Sequence, residues 1–260
     1  MADEPKYPVK TVTKAIEIIN YVGQDTGNRG IGVSELSRVL GMGKSTVHRL
    51  LDTLSFYGYV EQDGETNQYR LGWELYKIGQ VVPQQNQLLN LNPGYILELS
   101  RKTRATVNLG ILKRGEILII SKIEGAYDST HISVRPGEYE AIHATGMGKV
   151  MISDEEEIWG LFGGRETLIP YTPNTITSLP QLMREEARVR ESGYAVDAEE
   201  YCIGLYCIAM PIRDYTGQIV AAVSVSTPSG LMDEDRKKLI LEALSKCSRD
   251  ISRSLGYQEK

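Results

Sequence analysis

At 260 residues the chain is too long for one ordinary domain, and a 41% hydrophobic content can supply two buried cores. No apolar run reaches the length of about 18 residues that a membrane span needs, and the first ten residues are polar and proline-bearing, so neither a span nor a secretory leader is expected; the expected location is the cytoplasm. A net charge of −5 argues against a protein that coats nucleic acid, and three cysteines (Cys202, Cys207, Cys247) without paired spacing exclude a disulfide framework and a zinc ribbon.

In chain order, residues 11–22 place Ala15, Ile18, Ile19 and Val22 at helical spacing. Gln24 to Gly32 is glycine-rich and reads as a loop. Ser34 occupies an expected N-cap position before a short helix with Leu36, Val39 and Leu40 inward, which Gly41-Met42-Gly43 breaks. A third helix follows from Lys44, with Val47, Leu50, Leu51 and Leu54 at i, i+3, i+4 and i+7. Two strand-like runs, 59–62 and 68–71, flank Asp63-Gly64, a hairpin signal. Three helices and a hairpin predict a winged helix-turn-helix over residues 1–72.

Residues 73–91 carry a helical pattern interrupted by Pro83 and read as a linker helix. The second domain, 92–260, opens at an Asn92-Pro93 cap and runs through a helix at 96–100 and β-rich stretches at 106–112 and 117–123. A strand is expected near 131–134, then helices near 148–152, 154–162 and 180–192. Strands at 194–196, 206–212 and 218–226 precede a closing helix over 233–255. The fold class is therefore α+β, with one largely antiparallel sheet and flanking helices.

The helix-turn-helix decides the functional reading. Its second helix enters the major groove of DNA, led by its N-terminal residues. Here those are Lys44, Ser45, Thr46, His48 and Arg49. Lys44 and the hydroxyls suit phosphate, Arg49 can bridge guanine O6 and N7, and Thr46 or His48 can reach base edges. From Arg29 to Leu51 four basic residues stand against one acidic, so the motif rather than bulk charge carries the prediction.

The segment Leu40 to Leu51 resembles the recognition region of IclR-family transcriptional regulators. The likeness extends through His143-Ala144-Thr145-Gly146-Met147-Gly148-Lys149, Tyr194 to Asp197, Gly204 to Pro211, Arg213-Asp214 and Ala221 to Ser226. It implies a GAF-like C-terminal domain that binds a small effector, a double-stranded DNA operator as partner, and homodimers or homotetramers. It further implies a repressor of a catabolic operon. Carried over by position, Gly146 and Met147 offer backbone amides to an anionic effector, Asp197, Leu205 and Cys207 line the opposite wall, and Ser224 and Ser226 donate hydroxyls. These two serines share one face of a strand. Ser129, the loop at 128–131 and Arg135 are secondary candidates. With two tryptophans and two phenylalanines in the chain, a small polar carboxylate such as a sugar acid is the expected effector.

Two other readings stay open. A Cys207–His143–Asp197 or a Ser–His–Asp constellation would make the C-terminal domain an enzyme, although no nucleophile-elbow pattern supports one. A winged helix used only for protein contacts would make Lys44 and Arg49 incidental. No catalytic residue, metal site or cofactor is expected.

Overall fold

The structure, a computed structural model, describes residues 5–25, 27, 29–85, 88, 93–126, 134–154, 160, 162 and 167–258. The expected strand at 131–133, most of the expected helix at 154–162, the Asn92 cap, and Asp128, Ser129 and His131 lie outside them. The chain divides into two compact units, one reaching to Asn86 and the other running from Gln87 to Lys260.

The N-terminal unit is built from α1 (Lys10–Val22), α2 (Val33–Val39) and α3 (Lys44–Phe56), the hairpin β1 (Val60–Gln62) and β2 (Tyr69–Leu71), then α4 (Trp73–Gly79) and α5 (Val81–Gln84). Apolar faces of the first three helices meet in one core of Ile18, Val22, Leu36, Val47, Leu50 and Leu51, closed below by Val60 and Tyr69 of the hairpin. Ser34 is not the cap of α2. Gly32 holds that position in extended backbone, and the helix begins at Val33, because the preceding Ile31 is engaged in a bridge to Tyr69. The turn between α2 and α3 needs Gly41, whose φ of +62° is left-handed. Ser37 Oγ donates to the Met42 carbonyl at 2.6 Å and fixes the turn, while Met42 plugs the core. Residues 73–85 form two short helices rather than one. Pro83 has no N–H to give the Gly79 carbonyl, so the ladder is interrupted there.

Among the described residues the C-terminal unit is a six-stranded antiparallel sheet between helical layers. Its strands are β3 (Thr106–Lys113), β4 (Glu116–Ile123), β5 (Tyr139–Glu140), β6 (Ala195–Ala198), β7 (Leu205–Arg213) and β8 (Ile219–Pro228), in spatial order β5-β4-β3-β8-β7-β6. One face carries Val107, Leu109, Ile208, Val223 and Val225, and packs on α6 (Gly94–Thr103) and the long C-terminal α9 (Glu234–Ser254). The other face meets α7 (Gly146–Ile152) and α8 (Leu179–Ser192) through Ile119, Ala209 and Ala222. The strand at Tyr139–Glu140 was not anticipated from the sequence; two residues are too few for an alternation to register. Helix α9 is capped by Asp233, whose side chain accepts from the Arg236 amide at 2.8 Å.

Candidate functional sites: the recognition helix and the effector cleft

Helix α3 presents two chemistries. Val47, Leu50 and Leu51 are buried, so the helix is docked along one side. Lys44, Ser45, His48 and Arg49 are exposed and Thr46 is half-buried, all from the first turn and a half. Gly43 caps the helix in extended backbone without a side chain over the first-turn amides. That leaves N–H groups beside Lys44 and Ser45 free to meet a phosphate. The hairpin tip following α3 is ordered by Asp63, whose Oδ1 accepts from the Glu65 amide (3.1 Å), the Thr66 amide (2.8 Å) and the Thr66 hydroxyl (2.9 Å). The Thr66 hydrogen bonds hold this carboxyl below its ordinary pKa.

In the C-terminal unit, strand register assembles a polar floor. Asp197 on β6 stands opposite Cys207 on β7, Cys207 opposite Ser226 on β8, and Ser226 opposite Thr106 on β3. The next row on the same face runs Ala195, Ala209, Ser224, Asn108 and Lys122 across five strands. Directly opposed residues of antiparallel strands share a face, and residues two apart on a strand share it too. Two adjacent rows therefore point to one side. Helix α7 closes over them, with Gly146 against Ala209: a methyl group on Gly146 would sit 3.3 Å from the Ala209 Cβ. The small residues at 195 and 209 make room for that approach.

The result is a cleft of about 590 Å³ counted out to its open mouth. Gly146, Met147, Asp197, Leu205, Cys207, Ser224 and Ser226 all line it. The sequence reading missed Thr106, Asn108, Lys122, Glu140 and Tyr201, which line it as well. The alternation Thr106-Val107-Asn108 was a usable signal, since a polar, apolar, polar run marks a strand with one polar face. Arg135 is exposed and stands outside the lining residues; its backbone amide donates to Glu138.

Electrostatics inside the cleft follow from burial. Asp197 is almost wholly buried, and loss of water raises its carboxyl to about 7 against the opposing hydrogen bonds from the Glu200 and Tyr201 amides, at 2.7 and 3.3 Å. Burial first, then the Asp197 charge, raises Glu140 to about 7. The Cys207 thiol is pushed well up by burial and donates to Ser226 Oγ at 3.2 Å. On the same side of the sheet Lys149 of α7, fully buried, meets Glu200 Oε1 at 2.6 Å. That pair ties α7 to the β6–β7 connection.

Each member of the Cys207–His143–Asp197 set has another partner. His143 Nε2 is bonded to the Ile169 carbonyl at 2.9 Å, Asp197 accepts from backbone amides, and Cys207 faces Ser226. Its raised pKa keeps Cys207 in the thiol form, which is a poor nucleophile. Among the described residues no group of three metal-ligating side chains occurs, and no helix is long and apolar enough to cross a membrane.

Both units match one family. The family model described as IclR helix-turn-helix domain covers residues 11–64, and the one described as bacterial transcriptional regulator IclR C-terminal covers residues 81–253. The chain belongs to the IclR family. It is 36% identical over 262 residues to the HTH-type transcriptional regulator KdgR of Escherichia coli K12, spanning 99% of this chain and 98% of that one. It is 30% identical over 251 residues to the HTH-type transcriptional repressor AllR of the same strain, spanning 96% and 91%. The solved structure of Thermotoga maritima IclR superposes with a TM-score of 0.79 at 30% identity, covering 96% of this chain and all of that one. As an IclR-family member the protein is a DNA-binding transcriptional regulator with an α+β fold: an N-terminal helix-turn-helix domain followed by an antiparallel sheet flanked by helices.

Proposed function

We propose that this regulator represses genes for the breakdown of a small organic acid, and that the acid, bound in the cleft, releases the operator. The observation that carries the reading is the two-row polar floor under α7, a concave site with a few fixed polar groups on an otherwise apolar sheet face. In this reading residues 1–72 bind DNA, 73–91 link, and 92–260 sense. Lys44, Ser45, Thr46, His48 and Arg49 meet the duplex. The Gly146 and Met147 amides, which have no carbonyl to bond within their helix, receive the carboxylate, and Ser224 and Ser226 hold it. Asp197, Leu205 and Cys207 complete the wall. The repressor name borne by AllR supports the sign of regulation.

The protein works in the cytoplasm as a homodimer or homotetramer. Support for the oligomer comes from α1 and its N-cap, where Val9, Val12 and Ile16 follow helical spacing and are more than half exposed. Two recognition helices in a dimer then read half-sites about one helical turn or more apart. The acid changes operator affinity only by binding one arrangement of the protein better than the other.

The test is capture of genomic DNA fragments on the purified full-length protein, with and without a panel of organic acids. Retention of a small set of fragments with two-fold symmetric sequence, and their release by one acid, is the expected result. Failure to retain any fragment removes the proposal; retention that no acid changes removes its sensing half.

A further inference from the structure

We infer that Asp52 is a base-reading residue of the recognition helix, selecting a cytosine in the base pair next to the one that Arg49 reads. It rests on the placement of α3 in the major groove proposed above, and adds to that placement a residue beyond the leading turn.

Helix α3 buries Val47, Leu50 and Leu51. Ser45, Arg49 and Asp52, at i, i+4 and i+7, follow one line along the opposite side, and all three are exposed. Asp52 is the one acidic residue of this helix. Its carboxylate has no hydrogen bond or ion pair among the described residues. Arg49 stands three residues earlier, but a base ahead of an acid is the weaker order for pairing along a helix. Both heads therefore stay available to the groove. Beside them the Thr53 hydroxyl is spent on the Arg49 carbonyl at 2.9 Å. The Tyr69 phenol, raised by burial first and by the Asp52 charge second, gives that carboxylate no hydrogen bond.

A carboxylate on this line is repelled by every phosphate, so it adds to binding only where the duplex offers a donor. The major groove offers two, cytosine N4 and adenine N6. Adenine sets its N7 acceptor beside the amino group, against the second carboxylate oxygen, whereas the edge of cytosine carries the amino group alone. Cytosine is the better match. Arg49 and Asp52 are separated by about 4.5 Å along the helix axis, and successive bases of a strand by about 3.4 Å, so the two heads address neighbouring pairs. The same charge lowers affinity for duplex that lacks the cytosine, which widens the gap between operator and bulk DNA.

The experiment is fluorescence anisotropy of the full-length protein on a genomic duplex that it retains, with each base pair of one half-site replaced in turn by the other three, and on a random-sequence duplex of equal length. Wild type should prefer a C·G pair by about tenfold at the position next to the one altered by Arg49→Ala. Asp52→Ala should cut that preference below about threefold and bind the random duplex more tightly. Asp52→Asn should shift it to an A·T pair, because an amide bridges adenine N6 and N7. Base preference at one position is a readout that a loss of folded protein does not move. A base profile of Asp52→Ala identical to that of wild type, weaker binding of the random duplex by that variant, or a wild-type preference for A·T at the altered position overturns the assignment; if Arg49→Ala still alters one position, the placement of α3 stands. If Arg49→Ala also leaves every position unchanged, or if no genomic duplex is retained, that placement falls with it.

Discussion

Lys149 Nζ lies 2.6 Å from Glu200 Oε1, and the lysine is wholly buried on a seven-residue helix that is itself buried from end to end. A charge can occupy such a place only when paired. The pair is the fastening between the helix that closes the cleft and the chain that carries Asp197.

Removing one partner should therefore cost more than removing both. Lys149→Met leaves the Glu200 carboxylate buried without its counter-charge and is expected to destabilise the C-terminal unit by about 3–5 kcal/mol. The double variant Lys149→Met, Glu200→Leu should recover most of that loss. Urea titration of the three proteins checks this, and additive losses would show the pair to be unimportant.

On the DNA side, Arg49→Ala should weaken binding by roughly 1–3 kcal/mol and relax preference at a single base pair, whereas Lys44→Ala should weaken all sequences alike and lower the salt slope by about 1. Fluorescence anisotropy on captured fragments at several salt concentrations separates the two. An unchanged affinity for Arg49→Ala would favour a winged helix used for protein contacts.

Two glycines separate backbone strain from steric clash. Gly41 has a left-handed φ and open space around its Cα, so Gly41→Ala should cost only the backbone term, about 1–2 kcal/mol. Gly148 lacks that φ, but a methyl group there would lie 2.0 Å from the Ile142 carbonyl oxygen. Gly148→Ala should cost about 3 kcal/mol and weaken effector binding, because α7 cannot seat. Melting of the two variants, read by calorimetry, tests the ranking.

Acidity supplies a further expectation. Glu140, Asp197 and Glu186 all have folded pKa values near 7, above their ordinary 4.5, 3.8 and 4.5, chiefly because of burial. Between those limits the folded protein holds more protons than the unfolded chain, so these groups make stability fall as pH rises through 4–7, by up to about 1.4 kcal/mol per pH unit for each. His143, lowered by burial, acts in the opposite sense below its ordinary 6.5. Glu186 isolates the effect, being buried in α8 away from the cleft lining with an unpaired Oε1. Glu186→Gln should flatten the stability curve between pH 5 and 7 relative to wild type in urea titrations; identical slopes would refute the assignment.

Much of this was legible in the amino-acid order. Val47, Leu50 and Leu51 marked the docked side of α3 by spacing alone, and Gly41-Met42-Gly43 marked its turn. The pair Ser224 and Ser226 announced a polar strand face. What could not be read was which strands lie beside which. Asn108 joins Ser224, and Thr106 joins Ser226, only because β3 and β8 are neighbours despite more than a hundred intervening residues. Glu140 belongs to a strand two residues long, and Lys149 to Glu200 spans two separate elements. Local patterns fix local structure, and partners distant along the chain have no local signature.

The cross-strand rows have a consequence for how the sheet is made. Slipping β7 or β8 by a single position would turn Cys207, Ser224 and Ser226 toward α6 and α9 and expose Ile208, Val223 and Val225 to the cleft. Every such misalignment would strand polar atoms in hydrocarbon while emptying the binding surface. The residues that line the cleft thus also proofread the assembly of the strands that carry them, since a sheet folded out of register has no polar cleft.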